Sequence, residues 1–487
     1  MTRTRFSARA LVVVLAVATS LTTFVVAGAP PAEARPMRGT AVVQRNGRPV
    51  TMSFTTARAG EGLVELTASA GGVDWGRPGA ESAVVSVWVD GTYASDLVIF
   101  SEEPTVRRLA LGHLGAGQHT LELRFAADRS PAGARRAKLR ALSVDVVAPT
   151  DEAALALRHA PVLYGRSIAV ANAEGSGTTY AGPFQNAVTD TPLLAWHEVR
   201  PAAIPGNRIL EYSVVWSNED GGTNSPALMA RWGRTTDIEW IYRVEVDAAG
   251  NRVPGTAVYQ GPNHLTLPFD GTYEDDHPLL QTCTANNMVC DDLVDARMRF
   301  FLAADASRPA NRAREVLMDR NPWTYPVMAK EMVREGRIEP APSPTTPALG
   351  DQRSYLYLEV DKDTVPPNPP TGPWVGLAVQ VRLAGDANVY RSDHFVPDWS
   401  IKRDVPAATT VELPLGTTAD DVVEIIAHRV VVGPPDPGSS ITVTDVNRAF
   451  FLDSSYLPQP SFIDWHGSVT LSPAQPAASL WTRQAGV

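Results

Sequence analysis

"VSVWVDGTYASDLVIF" (85–100) and "LGAGQHTLELRF" (114–125) decide the fold. In the first run Val85, Val87 and Val89 fall on one side of an extended chain, and Ser86 and Trp88 fall on the other. The second alternates in the same way through Leu121, Leu123 and Phe125. A period of two marks a strand with one buried face. Asp90-Gly91 and Gly115-Ala116-Gly117 interrupt the pattern with residues that tolerate the positive φ of tight turns. Working outward, short strands are predicted at 39–44, 50–56, 63–69, 83–89, 97–100, 106–111, 119–125 and 139–147. Eight strands in about 110 residues, with no long helical period, predict a two-sheet sandwich.

The whole chain has 487 residues, enough for about three domains of ordinary size. Hydrophobic residues make up 44% and charged residues 20%, which excludes wholesale disorder. With a net charge of -10 and no basic block, it has no electrostatic footprint for nucleic acid or an anionic membrane. Residues 1–34 read as a signal peptide: Arg3, Arg5 and Arg9 precede an apolar stretch, and Ala32-Glu33-Ala34 fits a cleavage site. No later stretch is apolar for 18 residues, so no membrane span is expected and the protein reads as secreted and monomeric. Cys283 and Cys290 are the only cysteines, and in an oxidising compartment they predict one disulfide.

Asp151 can cap a helix at 152–158, which divides a sandwich domain at 36–150 from a larger region at 151–487. Strands are predicted there at 209–217, 238–246, 256–260 and 297–302. Helix formers take over at 311–337, with Pro326 in a first turn and Gly336 as the stop. "EPAPSPTTPALGD" (339–351) is an extended connector, which either splits the region in two or crosses within one domain. Strands then return at 354–360, 375–382, 410–413, 422–432, 441–451 and 467–471. The fold class is mainly β: a jelly-roll-like sandwich, then a larger β-sandwich region with a short helical insertion.

The two runs quoted first resemble the jelly-roll accessory modules of secreted carbohydrate-active enzymes. That resemblance implies carbohydrate binding, for which Trp75 and Tyr93, beside turns, are the candidate aromatic faces. The chain has no GxSxG elbow, no HExxH, no phosphate loop and no GxGxxG, so no nucleotide or organic cofactor is expected. The densest chemistry lies in "EYSVVWSNEDGG" (211–222), "RWGRTTDIEWIYRVEV" (231–246), "AVYQGPNHLTLPF" (257–269) and "YEDDHP" (273–278). Asp237 and Glu239 are two apart on a predicted strand, sharing a face with Cα atoms about 6.6 Å apart. Such a pair repels itself unless a divalent cation, Arg231, Arg234 or His264 stands near.

"HAPVLYG" (159–165) and this order of motifs resemble the β-sandwich of necrosis-inducing proteins and the related vacuolar-protein-sorting domain, over 159–270. The resemblance implies a metal held by Asp237, Glu239 and His264. Arg234 stands where that group has a histidine ligand, and Ile238 where it has tryptophan; arginine cannot ligate. Two arrangements stay open: a divalent cation (calcium, magnesium or manganese), or a metal-free acid–base pair tuned by Arg234 and His264. Tyr212, Trp216, Arg234 and His394 are further candidates for binding substrate, His394 through its neighbours Asp393, Asp398 and Trp399. Two smaller clusters are Asp275-Asp276-His277, read as an acidic turn, and Asp464-Trp465-His466. Together these residues predict a secreted protein acting on extracellular polysaccharide, cleaving glycosidic bonds by acid–base chemistry through hydrolysis or elimination. The alternative is a non-catalytic, lectin-like or glycolipid-headgroup-binding surface protein.

Overall fold

Alternation builds the first layers. In the computed structural model Val85, Val87 and Val89 are buried against Leu121 and Leu123, while Trp88 points outward and is partly exposed. The Asp90-Gly91 turn takes φ of 50° and 83°, the left-handed pair a tight hairpin needs. The structure describes residues 39–166, 191–219, 224–340 and 348–484. The signal peptide read at 1–34 lies outside them, as does the middle of the 339–351 connector.

The first eight strands are β1 (Ala41–Gln44), β2 (Val50–Thr56), β3 (Gly60–Ala70), β4 (Ala83–Val89), β5 (Thr92–Ile99), β6 (Thr105–Leu114), β7 (Gly117–Phe125) and β8 (Arg136–Val146). They form two four-stranded sheets, β1-β8-β3-β6 and β2-β7-β4-β5. That order is a jelly roll.

Helix α1 (Glu152–Arg158) follows where predicted, although Asp151 makes no capping bond with its side chain. Next come β9 (Val162–Tyr164), β10 (Pro192–Pro201), β11 (Arg208–Trp216), α2 (Ser225–Trp232), β12 (Asp237–Val246), β13 (Val258–Gly261) and β14 (Leu265–Pro268). Strands β10 to β14 make one sheet in sequence order. A second sheet runs β15 (Tyr273–Glu274), β16 (His277–Thr282), β9, β18 (Arg299–Phe300), with β17 (Val289–Cys290) paired to β16. Cys283 and Cys290 are bonded across β16 and β17, their Cα atoms 5.8 Å apart. The predicted helical stretch is two helices, α3 (Val316–Arg320) and α4 (Thr324–Arg334), interrupted at Asn321-Pro322. Helix α2 is absent from the sequence reading, because Gly-Gly-Thr-Asn-Ser-Pro looks like a turn. Asn224 caps it, accepting from Ala227 N–H at 3.2 Å, and Gly233 ends it at φ 65°.

The last eight strands are β19 (Tyr355–Val365), β20 (Trp374–Leu383), β21 (Tyr390–Arg391), β22 (Ala407–Glu412), β23 (Val422–Val432), β24 (Ser440–Phe450), β25 (Trp465–Leu471) and β26 (Ala477–Thr482). They form the sheets β22-β19-β24-β25 and β21-β20-β23-β26. Two cores result. One is continuous from Ala41 through the middle region to Leu452, and the other fills the last sandwich. β19 serves both: Tyr355 and Tyr357 enter the first core, Leu356, Leu358 and Val360 the second. Among the described residues no helix is long and apolar enough to cross a membrane.

Candidate functional site

β12 opens with Asp237 and pairs back to β13 through Tyr242–Tyr259 and Arg243–Val258. The hairpin closes at Asp247, whose Oδ1 accepts from the N–H groups of Ala249 and Asn251. The Pro262–His264 turn after β13 therefore returns beside the start of β12. Its Asn263 and His264 hold φ of 58° and 56°, a left-handed conformation that non-glycine residues adopt only when their surroundings impose it. Glu239 and His264 meet through one amide: Gln260 Nε2 donates to Glu239 Oε2 at 3.1 Å and to His264 Nδ1 at 2.8 Å.

Asp237 is only 3% exposed. Asn287, held at φ 56° in the disulfide loop, donates Nδ2 to Asp237 Oδ2 at 2.9 Å and to the Asn218 carbonyl at 3.2 Å. Burial, and then the charges of Glu239 and Glu219, push the Asp237 carboxyl well above the usual carboxylate range. Among the described residues no three His, Cys, Asp or Glu side chains stand close enough to hold a metal ion. A centre made of Asp237, Glu239 and His264 alone is thus not assembled: the Gln260 amide lies between Glu239 and His264. The region is instead rich in unpaired oxygen. Asn218 Oδ1, Gln260 Oε1 and Asn287 Oδ1 are buried and lack a hydrogen-bond partner among the described residues. Each such atom costs about 1–3 kcal/mol unless something binds it.

Four of the expected substrate-binding residues turn inward. Arg234 is buried, its Nε on Glu315 Oε1 at 2.8 Å, with Glu219 3.9 Å from Nη1. It therefore faces buried Glu315 and half-buried Glu219. Trp75 is fully buried, edge-on to Phe100, its indole N–H donating to Glu331. Tyr212 is fully buried and donates to the Ala156 carbonyl at 2.6 Å, and Trp216 is likewise sealed in the core. These rings bury too much apolar surface to face water.

Tyr93 stays at the surface in part. Its ring stacks on Trp88 at 5.1 Å, and its hydroxyl meets Asp96 and, at 3.2 Å, Arg129. Arg124 lies 3.9 Å over the Trp88 ring and is ion-paired with Glu122. Trp88 is a surface residue that sequence reasoning leaves unassigned, although its place between inward-facing Val87 and Val89 already marks it as outward. Asp276 pairs with Arg158 at 2.7 Å, and His277 is buried with Nδ1 on the Ala160 carbonyl at 2.9 Å, so the acidic turn is structural. His466 is exposed between Asp445 and Asp464. His394 sits apart from Asp237, in a cleft beside β21 and β22, with Trp399 edge-on at 5.8 Å.

No family model and no curated protein matches the chain. The likeness of 159–270 to the necrosis-inducing group therefore rests on the quoted residues alone. Among solved structures the chain is similar to the C-terminal domain of the sugar-binding protein EclA: 17% identity over 22% of this chain and 79% of that one, TM-score 0.17. A family 35 carbohydrate-binding module from an environmental isolate shows 15% identity over 21% and 66%, TM-score 0.16. The CBM36-1 domain of a multidomain xylanase from the hindgut metagenome of Trinervitermes trinervoides shows 16% over 24% and 93%, TM-score 0.18.

Proposed function

We propose that this protein is secreted and binds extracellular polysaccharide through the outward face of the β2-β7-β4-β5 sheet. The stacked Trp88–Tyr93 pair carries the reading. A sugar presents C–H groups to an aromatic ring and hydroxyls to the groups around it. Here the exposed Arg124 side chain gives way to the sugar ring, and Arg124 and Glu122 turn to its hydroxyls. Affinity electrophoresis against cellulose, xylan and mannan derivatives tests this. Trp88→Ala with Tyr93→Ala is expected to weaken retardation at least tenfold; unchanged retardation removes the assignment.

The second element is a divalent cation, for which the unpaired Asn218, Gln260 and Asn287 oxygens are the supporting observation. Amide and carboxylate oxygens without nitrogen or sulfur suit calcium best of the three cations considered. Asp237 and Glu239 would supply the charge. Binding requires Asp237 to lose its proton, so calcium should raise Tm more at pH 8 than at pH 5. An identical Tm with calcium and with chelator at both pH values rules the cation out. The acid–base cleavage expected of Asp237, Glu239 and His264 is the second reading, for which the partly exposed Glu239 and the exposed His264, joined through Gln260, are the supporting observation.

A further inference from the structure

The last sandwich carries a cleft of about 740 Å³ between the β21–β22 edge and residues 338–340 and 350–354. Its floor is polar. Glu412 ends β22 and stands opposite Tyr355 in the β19–β22 ladder, and His394 Nε2 lies 4.0 Å from Glu412 Oε2. Its rim is apolar, with Phe395 59%, Leu415 73% and Val389 46% exposed. Exposed apolar side chains around a polar floor suit a ligand that has both apolar and hydroxyl faces.

The rim is also held in a costly conformation. His394 and Phe395 have φ of 47° and 62°, two consecutive non-glycine residues in the left-handed region. Asp393, fully buried, fixes them: Oδ1 accepts from Phe395 N–H at 3.1 Å, while Oδ2 pairs with Arg391 at 2.6 Å. Val396 N–H bonds to the Asp393 carbonyl at 2.7 Å. The turn thus leaves the Phe395 ring largely exposed, with the Arg391 guanidinium 4.9 Å from its centroid, and sets His394 toward Glu412.

Charge narrows the ligand. Glu339 and Glu412 line the cleft, with Asp351 paired to Arg353 and Arg391 paired to Asp393. Among the described residues that line it, an anion finds no free cation. Burial pushes the Glu412 carboxyl up to about 7, with the Tyr355 hydroxyl pulling it down and Glu339 pushing it up. Around neutral pH it therefore both donates and accepts hydrogen bonds, as paired sugar hydroxyls require. Burial also depresses His394, which keeps its imidazole neutral.

We propose that this cleft is a second saccharide site, in which Phe395 stacks on the apolar face of a neutral sugar ring while Glu412 and His394 bind its hydroxyls. It stands independently of the Trp88–Tyr93 platform. Isothermal titration of the full chain with cellohexaose, xylohexaose and mannohexaose tests it, using Phe395→Ala, which removes an exposed ring and should fold, and Trp88→Ala. At least one oligosaccharide is expected to bind Phe395→Ala tenfold or more weakly than wild type, with that loss absent from Trp88→Ala. Affinity unchanged in Phe395→Ala but lost in Trp88→Ala overturns this site and leaves the first reading intact. Binding of none of the three at millimolar concentration overturns both.

Discussion

Glu412 and Asp237 are carboxyls whose protons the fold holds more tightly than water does. For Glu412 the direction of the pH effect follows from linkage. Its folded value, about 7, lies above the unfolded 4.5. The stability it contributes is complete below the unfolded value and is lost as pH climbs through the folded one. Urea unfolding at pH 5 and pH 8 should therefore show wild type losing on the order of 3 kcal/mol more than Glu412→Gln over that interval. Parallel losses would mean that Glu412 ionises as freely folded as unfolded. Asp237 and Glu239 were legible in the sequence because positions two apart on a strand share a face. Asn287, Gln260 and Asn218 were not: a lone amide has no spacing to recognise, and its value here comes from burial.

At the scale of elements, periodicity succeeded for strands such as β1, β7 and β24, where one face is buried, and missed β10, β16 and β26. The hairpin from β12 to β13 joins two strands predicted at 238–246 and 256–260, through the turn after Asp247. Periodicity failed for α2, whose local sequence favours a turn. Tertiary contact settles that helix: Thr409 and Thr410 on β22 donate to the carbonyls of Ala230 and Met229 at its end. The disulfide loop links element to site, because the ring that joins Cys283 to Cys290 also positions Asn287 over Asp237. Loop-closure entropy assigns that ring about 2.5 kcal/mol. The Cys283→Ser, Cys290→Ser double variant should lose about that much in urea unfolding at pH 8. A loss near zero would show that the backbone bonds between β16 and β17 hold the loop unaided.

At the scale of the molecule, residues 34–487 cluster as one compact unit, and the jelly roll does not bury its core alone. Trp75 is sealed by Glu331 of α4, Leu109 bridges to Leu302, and Arg299 reaches Ala94 and Asp96 on β5. By itself the sequence determined the alternation of strands such as β1, β7 and β24, the jelly-roll rhythm of the first eight, the disulfide and the acidic pair on β12. These depend on neighbours in the chain, and a period of two or a short loop records them directly. Only the tertiary structure decided which aromatic rings face water. Trp75, Tyr212 and Trp216 are covered by segments remote in sequence, whereas Phe395 is left exposed. It alone also placed Glu412 beside His394. Burial and pKa come from atoms many residues away, and no local spacing encodes them.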